Sequence, residues 1–288
     1  MVVDVNSKSF VRYSNERYFS QLKKLETELT LRGMSKSTKK AYFKFNAQFL
    51  RFIQKSPDNI TKDDIKNYLA ELIGKETAPR TINLARSALL FYYNEVLEQG
   101  IVGVKVPKIK RSLPIYLSKE EVANLIDKGG SNKSKIIIKF LYSSGLRVSE
   151  VCNLKIEDLE LKDRKGFVRA GKGGKDRLFF ISQTLAYELE DFIGARRKGY
   201  VFENYQGERS SERNVQKIVS LAGKRAMINK AVTPHKLRHS FATHLHDAGT
   251  SIRTIQELLG HSNLQTTEIY THVSEKGLGK VKNPLDGI

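Results

Sequence analysis

Apolar residues recur at helical spacing along most of the chain. From residue 15 to Leu31, Tyr18, Leu22, Leu25 and Leu29 share one face, and Gly33 supplies a stop. A second helix, starting after Ser35 or Ser37 and running to Ile53, turns Tyr42, Phe45, Phe49 and Phe52 inward. Thr61-Lys62-Asp63-Asp64 has the form of a helix start, a capping hydroxyl followed by acids, and that helix ends near Gly74. Pro79 opens a fourth helix with Ile82, Ala85, Leu89, Tyr93, Val96 and Leu97 apolar, and Gly100 closes it. After a lead-in over residues 1–14, residues 15–102 thus form a small all-helical domain.

Residues 103–116 break the periodicity. Two prolines and the cations Lys105, Lys108, Lys110 and Arg111 predict an extended linker able to cross a DNA backbone. A second domain, residues 117–288, opens with Ser118 capping a helix to Asp127. Lys133 to Ser144 is a strongly apolar helix ended by Gly145. The runs D-L-E-L, G-F-V-R-A and R-L-F-F-I, separated by D-R-K-G and G-K-G-G-K-D, predict a small three-stranded antiparallel sheet. Helical patterns resume at 185–193, 212–226 and 234–248, and again from Ser251 to Leu259. The fold class is therefore mostly α with a small antiparallel β-sheet, in two domains.

Charge changes this picture most. The net charge is +19, with +9 in residues 1–110 and +10 in residues 111–288, so both domains are basic. Such a field favours a polyanion, which two basic domains could bracket. Lys36, Lys40 and Lys44 repeat every four residues on one helix face without interleaved acids, a pattern suited to phosphate contact. The single cysteine, Cys152, excludes an intramolecular disulfide and suits a reducing cytoplasm. No apolar run approaches a membrane span, and the N-terminus lacks a signal-peptide pattern.

The chemistry-bearing residues concentrate between Thr233 and His272. Thr233 caps a helix with Pro234 at its first position, placing His235 and Arg238 in the opening turns, where unsatisfied N–H groups favour an anion. Leu237, Phe241 and Leu245 make the buried stripe, so His235 and Arg238 are expected to project elsewhere. Gly260 stops the next helix and puts His261 at a corner. S-N-L-Q then starts a helix carrying Tyr270. Upstream, Arg147 lies two residues past Gly145 with Glu150 close enough to orient it, and Lys172 and Lys175 sit at a hairpin tip. His235, His239 and His244 lack an H-E-x-x-H frame and a completing carboxylate, so no metal is expected. Each motif alone also describes an ordinary capped helix, ion pair or solvated turn.

Together they resemble the tyrosine recombinases, the phage-integrase family, and most closely its Xer-type site-specific recombinases. L-R-G-M-S-K-S-T-K-K-A-Y and P-R-T-I-N resemble the core-binding helical (SAM-like) domain. L-P-I-Y-L-S-K-E-E-V resembles the start of the catalytic domain. G-L-R-V-S-E, G-K-G-G-K-D-R, H-K-L-R-H-S-F-A-T-H-L and L-L-G-H-S-N-L-Q-T-T-E-I-Y resemble its catalytic motifs, in the family's order.

That resemblance implies a catalytic set of Arg147, Lys172, His235, Arg238 and His261, with Tyr270 as nucleophile; Lys175 remains an alternative to Lys172. It implies a 3′-phosphotyrosyl intermediate and strand exchange through a Holliday junction, without cofactor, metal or ATP. Its partners are a double-stranded recombination site, further copies of the chain in a tetramer on two sites, and an accessory factor. The expected role is cytoplasmic chromosome dimer resolution at a dif-like site. Three readings compete: a type IB topoisomerase, a non-catalytic DNA-binding protein on the same fold, and a metal-dependent nuclease.

Overall fold

The computed structural model describes residues 16–108, 116–169, 176–260 and Leu285. The chain divides into two compact units, Met1–Ser112 and Leu113–Ile288. Among the described residues no helix is long and apolar enough to cross a membrane.

Among the described residues the regular structure of the first unit is all helical, chiefly α1 (Glu16–Leu31), α2 (Lys36–Ile53), α3 (Lys62–Gly74) and α4 (Pro79–Leu90), the last continuing as a π-helical turn, Phe91–Val96. Capping side chains set the starts of α2 and α3. Ser35 accepts a hydrogen bond from the Thr38 amide at the head of α2. Thr61 and Asp64 form a reciprocal capping box on α3, and Lys55 pairs with Asp64 at 2.7 Å. Leu22, Leu25, Leu29, Phe49, Leu50, Ile65, Leu89, Tyr92 and Tyr93 build one core.

Two expectations shift here. On α2 the buried face carries Phe43, Phe45, Asn46, Ala47, Phe49 and Leu50, while Tyr42 is half-buried and Phe52 is exposed. Asn46 explains the rotation, because its amide donates to the carbonyls of Tyr42 and Ala88 and so locks that face against α4. The fourth helix does not run evenly to Gly100. Its π turn lets Asn94 donate to the Ile101 carbonyl at 2.9 Å and accept from the Ile101 amide at 2.6 Å. That clamp lays the following strand of chain on the core, burying Ile101 and Val104. The start of the linker segment, residues 103–108, has no regular secondary structure and is anchored to its own unit, Arg86 donating to the Val104 carbonyl and Asn83 to the Pro107 carbonyl.

The second unit comprises α5 (Lys119–Asp127), α6 (Asn132–Ser144), α7 (Val148–Asn153), strands β1 (Leu159–Glu160), β2 (Lys165–Val168) and β3 (Arg177–Phe180), α8 (Gln183–Ile193), α9 (Glu212–Arg225), α10 (Pro234–Asp247) and α11 (Ile252–Leu259). Ser118 and Glu121 make the capping box that starts α5. α6 is apolar on nearly every side, with Ile136, Ile137, Ile138, Phe140, Leu141 and Tyr142 all buried, and neighbours pack around it. The sheet is antiparallel in the order β1-β2-β3, with Phe167 opposite Leu178 and Val168 opposite Arg177. Periodicity does not reveal the short helix α7, since six residues carry too little of it. Leu285 is buried against this unit's core.

Candidate active site

Two helix ends build the site. α6 ends on Gly145 and α11 on Gly260, both left-handed at φ +61°. A Cβ on Gly145 would lie 2.5 Å from the Phe241 ring, and one on Gly260 would lie 2.8 Å from Cδ of Arg177. Both corners therefore require glycine for conformation and for space.

Arg238, in the second turn of α10, closes the gap between them. Its Nη1 donates to the Gly145 carbonyl and its Nη2 to the Leu259 carbonyl, each at 2.6 Å. These carbonyls belong to helix C-termini, where unpaired acceptors and the helix dipole favour a cation. Sequence periodicity set Arg238 apart from the buried stripe, but the residue is only 6% exposed. The correction has a physical source: the stripe marks where apolar atoms go, whereas a guanidinium can enter the same interior if carbonyls receive it. Burial lowers the Arg238 pKa to about 10, with the charge of Arg147 adding to the effect and Glu150 opposing it. It remains a cation at neutral pH.

Arg147 stands at the cap of α7 in extended conformation, two residues beyond Gly145. Glu150 reaches back from the first turn, accepting from the Arg147 amide at 2.7 Å and from its Nη1 at 2.8 Å. Nη2 of Arg147 contacts the Gly260 carbonyl at 3.3 Å. Glu150 also receives a second guanidinium end-on, from Arg177 Nη1 at 2.9 Å and Nη2 at 2.6 Å. Burial pushes the Glu150 carboxyl up, but the hydrogen bonds and charge of Arg177 and Arg147 outweigh it and hold the group down to about 2. Two guanidiniums thus bind one carboxylate, and with Arg238 on the neighbouring helix-end carbonyls they leave an excess of positive charge suited to a phosphodiester.

Arg147 and Arg238 are brought together at the two corners, and Glu150 orients Arg147 as expected. His235 is exposed on the opening turn of α10, three residues before Arg238. Gly260 leads directly into His261, but Lys172, Lys175, His261 and Tyr270 lie outside the described residues. His244 is engaged elsewhere, its Nδ1 2.8 Å from the Tyr142 hydroxyl. Among the described residues no group of three or more His, Cys, Asp or Glu side chains is placed to hold a metal.

Of the cations singled out for DNA contact, Lys36, Lys40, Lys105 and Lys108 are exposed, and Lys44 is half-buried with its ammonium 5.5 Å from the Phe45 ring centre. Lys110 and Arg111 lie outside the described residues. Sequence reasoning passed over Arg177. The available signal was its place as the last residue of G-K-G-G-K-D-R, the first position of the strand leaving the hairpin.

Comparison with known proteins identifies the family. Residues 116–276 match the phage integrase family, and residues 22–101 match the phage integrase N-terminal SAM-like domain. Tyrosine recombinase XerA of Pyrococcus horikoshii is 41% identical over 263 residues, covering 89% of this chain and 90% of its own. A crystal structure of XerA recombinase aligns at 32% identity with a TM-score of 0.50, covering 90% of this chain and 96% of that one. A lambda integrase tetramer bound to a Holliday junction shares the fold at 20% identity and a TM-score of 0.68, covering 87% and 79%. The chain belongs to the phage integrase family of tyrosine recombinases, enzymes that break and rejoin DNA strands, and its relatives are of the Xer type.

Proposed function

We propose that this protein is a site-specific recombinase of the Xer type, resolving chromosome dimers at a dif-like site in the cytoplasm. The observation that carries the reading is the placing of Arg147, with its Glu150 partner, and Arg238 at the Gly145 and Gly260 corners, a cationic seat for one phosphate.

In the proposed reaction Tyr270 is the nucleophile. Its phenolic oxygen attacks the scissile phosphorus, forming a 3′-phosphotyrosyl bond as the P–O5′ bond breaks. His235 accepts the phenolic proton, necessary because a phenol with a pKa of about 10 is mostly protonated at neutral pH. Lys172 protonates the leaving 5′-oxygen, Lys175 being the alternative donor on the same tip. Arg147 and Arg238 stabilise charge on the non-bridging oxygens, and His261 hydrogen-bonds the phosphate. Arg238 commits its two terminal nitrogens partly to helix carbonyls, so it acts as the fixed floor, while the more accessible Arg147 meets the phosphate edge.

Keeping the phosphoester makes rejoining independent of ATP. A 5′-hydroxyl from a second duplex attacks the phosphotyrosine, releasing Tyr270 and exchanging strands. The lambda integrase tetramer on a Holliday junction supports the assembly proposed here, four protomers on two sites. Residues 15–102 and the linker at 103–116 would hold the DNA through Lys36, Lys40, Lys44, Lys105, Lys108, Lys110 and Arg111, and residues 117–288 would carry the chemistry. An accessory factor would set strand order.

Covalent capture tests the reading. Genomic fragments trapped on the protein identify the site, and a nicked duplex carrying it is then run on a denaturing gel. Wild type should form a covalent adduct and Tyr270→Phe none, with DNA binding kept; an adduct that persists in Tyr270→Phe contradicts the assignment.

A further inference from the structure

Arg177 belongs to none of the roles assigned above, yet it joins three parts of the site. It is the first residue of β3, five positions after Lys172 in the sequence. Its side chain is 13% exposed and runs beneath Gly260, close enough that a Cβ there would lie 2.8 Å from its Cδ and 3.1 Å from its Nε. Its guanidinium ends on both oxygens of Glu150, at 2.9 and 2.6 Å. Nε of Arg177 is buried without a hydrogen-bond partner among the described residues, and the hydrogen bonds its guanidinium makes there go to Glu150.

The consequence falls on Arg147. A carboxylate beside a lone arginine is most strongly bound as a two-pronged fork, which would cover the edge needed for phosphate. With Arg177 occupying both oxygens, Arg147 makes one side-chain hydrogen bond to Glu150, through Nη1, and one at 3.3 Å to the Gly260 carbonyl. A guanidinium has five N–H donors. Those left over on Arg147 make no other hydrogen bond among the described residues. Arg147 is therefore oriented without being saturated.

We infer that Arg177 is a positioning residue for strand cleavage: by occupying both oxygens of Glu150, it holds the Arg147 guanidinium in place while leaving its phosphate-binding edge open. The inference rests on the proposed role of Arg147, and it adds Arg177 as the residue that makes that role possible. Lysine is a poor replacement, since an ammonium cannot fork across both oxygens.

The test is single-turnover cleavage of the nicked site duplex, with DNA affinity measured alongside. Arg177→Ala should slow cleavage about 10- to 100-fold, the range found for residues that orient a functional side chain, with affinity within about twofold. Arg177→Lys should fall between it and wild type. In Arg147→Ala, adding Arg177→Ala should cost little more, because the two act through one guanidinium. If Arg177→Ala unfolds, as a lost melting transition would show, Arg177→Lys is read in the same way.

A second substrate separates this role from a hairpin role. Replacing the bridging 5′-oxygen by sulfur gives a leaving group that needs no proton. The Arg177 defect should persist on it, whereas a Lys172→Ala defect should be relieved. Rescue of Arg177→Ala by sulfur would place its effect on leaving-group protonation and overturn the inference, as would losses that multiply with Arg147→Ala. Affinity and rate falling together would also overturn it. Absence of any wild-type adduct would instead defeat the proposed function, so the two failures are distinguishable.

Discussion

The molecule holds positive charge in two contrasting ways. On α2, Lys36 and Lys40 stand exposed, long side chains with strongly hydrated ammonium groups. At the Gly145 and Gly260 corners, three arginines are held by helix-end carbonyls and by a carboxylate that Arg147 and Arg177 share, with Arg238 buried. Mobile charge in water suits attraction to a polyanion along its length, and is screened by salt. Fixed charge at low dielectric suits one phosphate in one orientation, because no reorganisation is needed as the transition state forms. On the proposed function, binding and chemistry fall to different cations, and substitutions should separate them.

The largest effects should come from the corners. Arg238→Ala should reduce cleavage by about 100-fold or more, the scale for losing a preorganised charge-stabilising group. It should also lower the melting temperature, since the Gly145 and Leu259 carbonyls lose their partner at about 1–3 kcal/mol for each buried group left unsatisfied. Thermal unfolding beside single-turnover cleavage reads both losses.

Glu150 gives the next effect, and it has a sign in pH. Its folded carboxyl lies at about 2, against an ordinary glutamate value of 4.5, so its contribution is fully present above about pH 4.5. That contribution is lost as pH falls toward 2. Subtracting the stability of Glu150→Gln from that of wild type should give a difference that shrinks across this interval and is flat above it. A difference that grows on acidification would contradict the arrangement of Arg147 and Arg177 around the carboxylate.

Gly260→Ala should cost about 1–2 kcal/mol from left-handed strain alone. Because the added methyl meets Arg177, cleavage should slow as well. Gly249 provides the control: it is also left-handed, at φ +86°, but a Cβ there meets nothing within 4 Å, so Gly249→Ala should lower stability and leave the cleavage rate at saturating DNA unchanged. The smallest change should follow from the α2 lysines. Replacing Lys36, Lys40 and Lys44 with alanine should weaken DNA binding and flatten its dependence on log salt by about 0.9 for each phosphate no longer neutralised.

How much of this was legible in the sequence depends on what each residue answers to. Helix starts at Ser35, Thr61, Ser118 and Thr233 follow local capping chemistry, which a short window contains. The three-stranded sheet announced itself through alternation and turn residues. Arg147 with Glu150 was readable because both sit in one turn. Arg177 was not, since its partner Glu150 lies 27 residues earlier and nothing local marks the meeting. The burial of Arg238 was missed for a related reason: its acceptors are the ends of two other helices, 93 and 21 residues away. On α2, periodicity placed Phe52 inward, but the Asn46 hydrogen bond to Ala88 fixes a different face.

The most direct measurement compares two variants on one nicked site duplex, recording affinity and the cleavage rate at saturating DNA. The triple Lys36, Lys40 and Lys44 to alanine variant should bind more weakly yet, once saturated, form the covalent adduct at the wild-type rate. Arg147→Ala should bind within about twofold of wild type and cleave at least about 100-fold more slowly. If both variants instead lose affinity and saturated rate in the same proportion, the division between a binding face and a chemical corner is wrong.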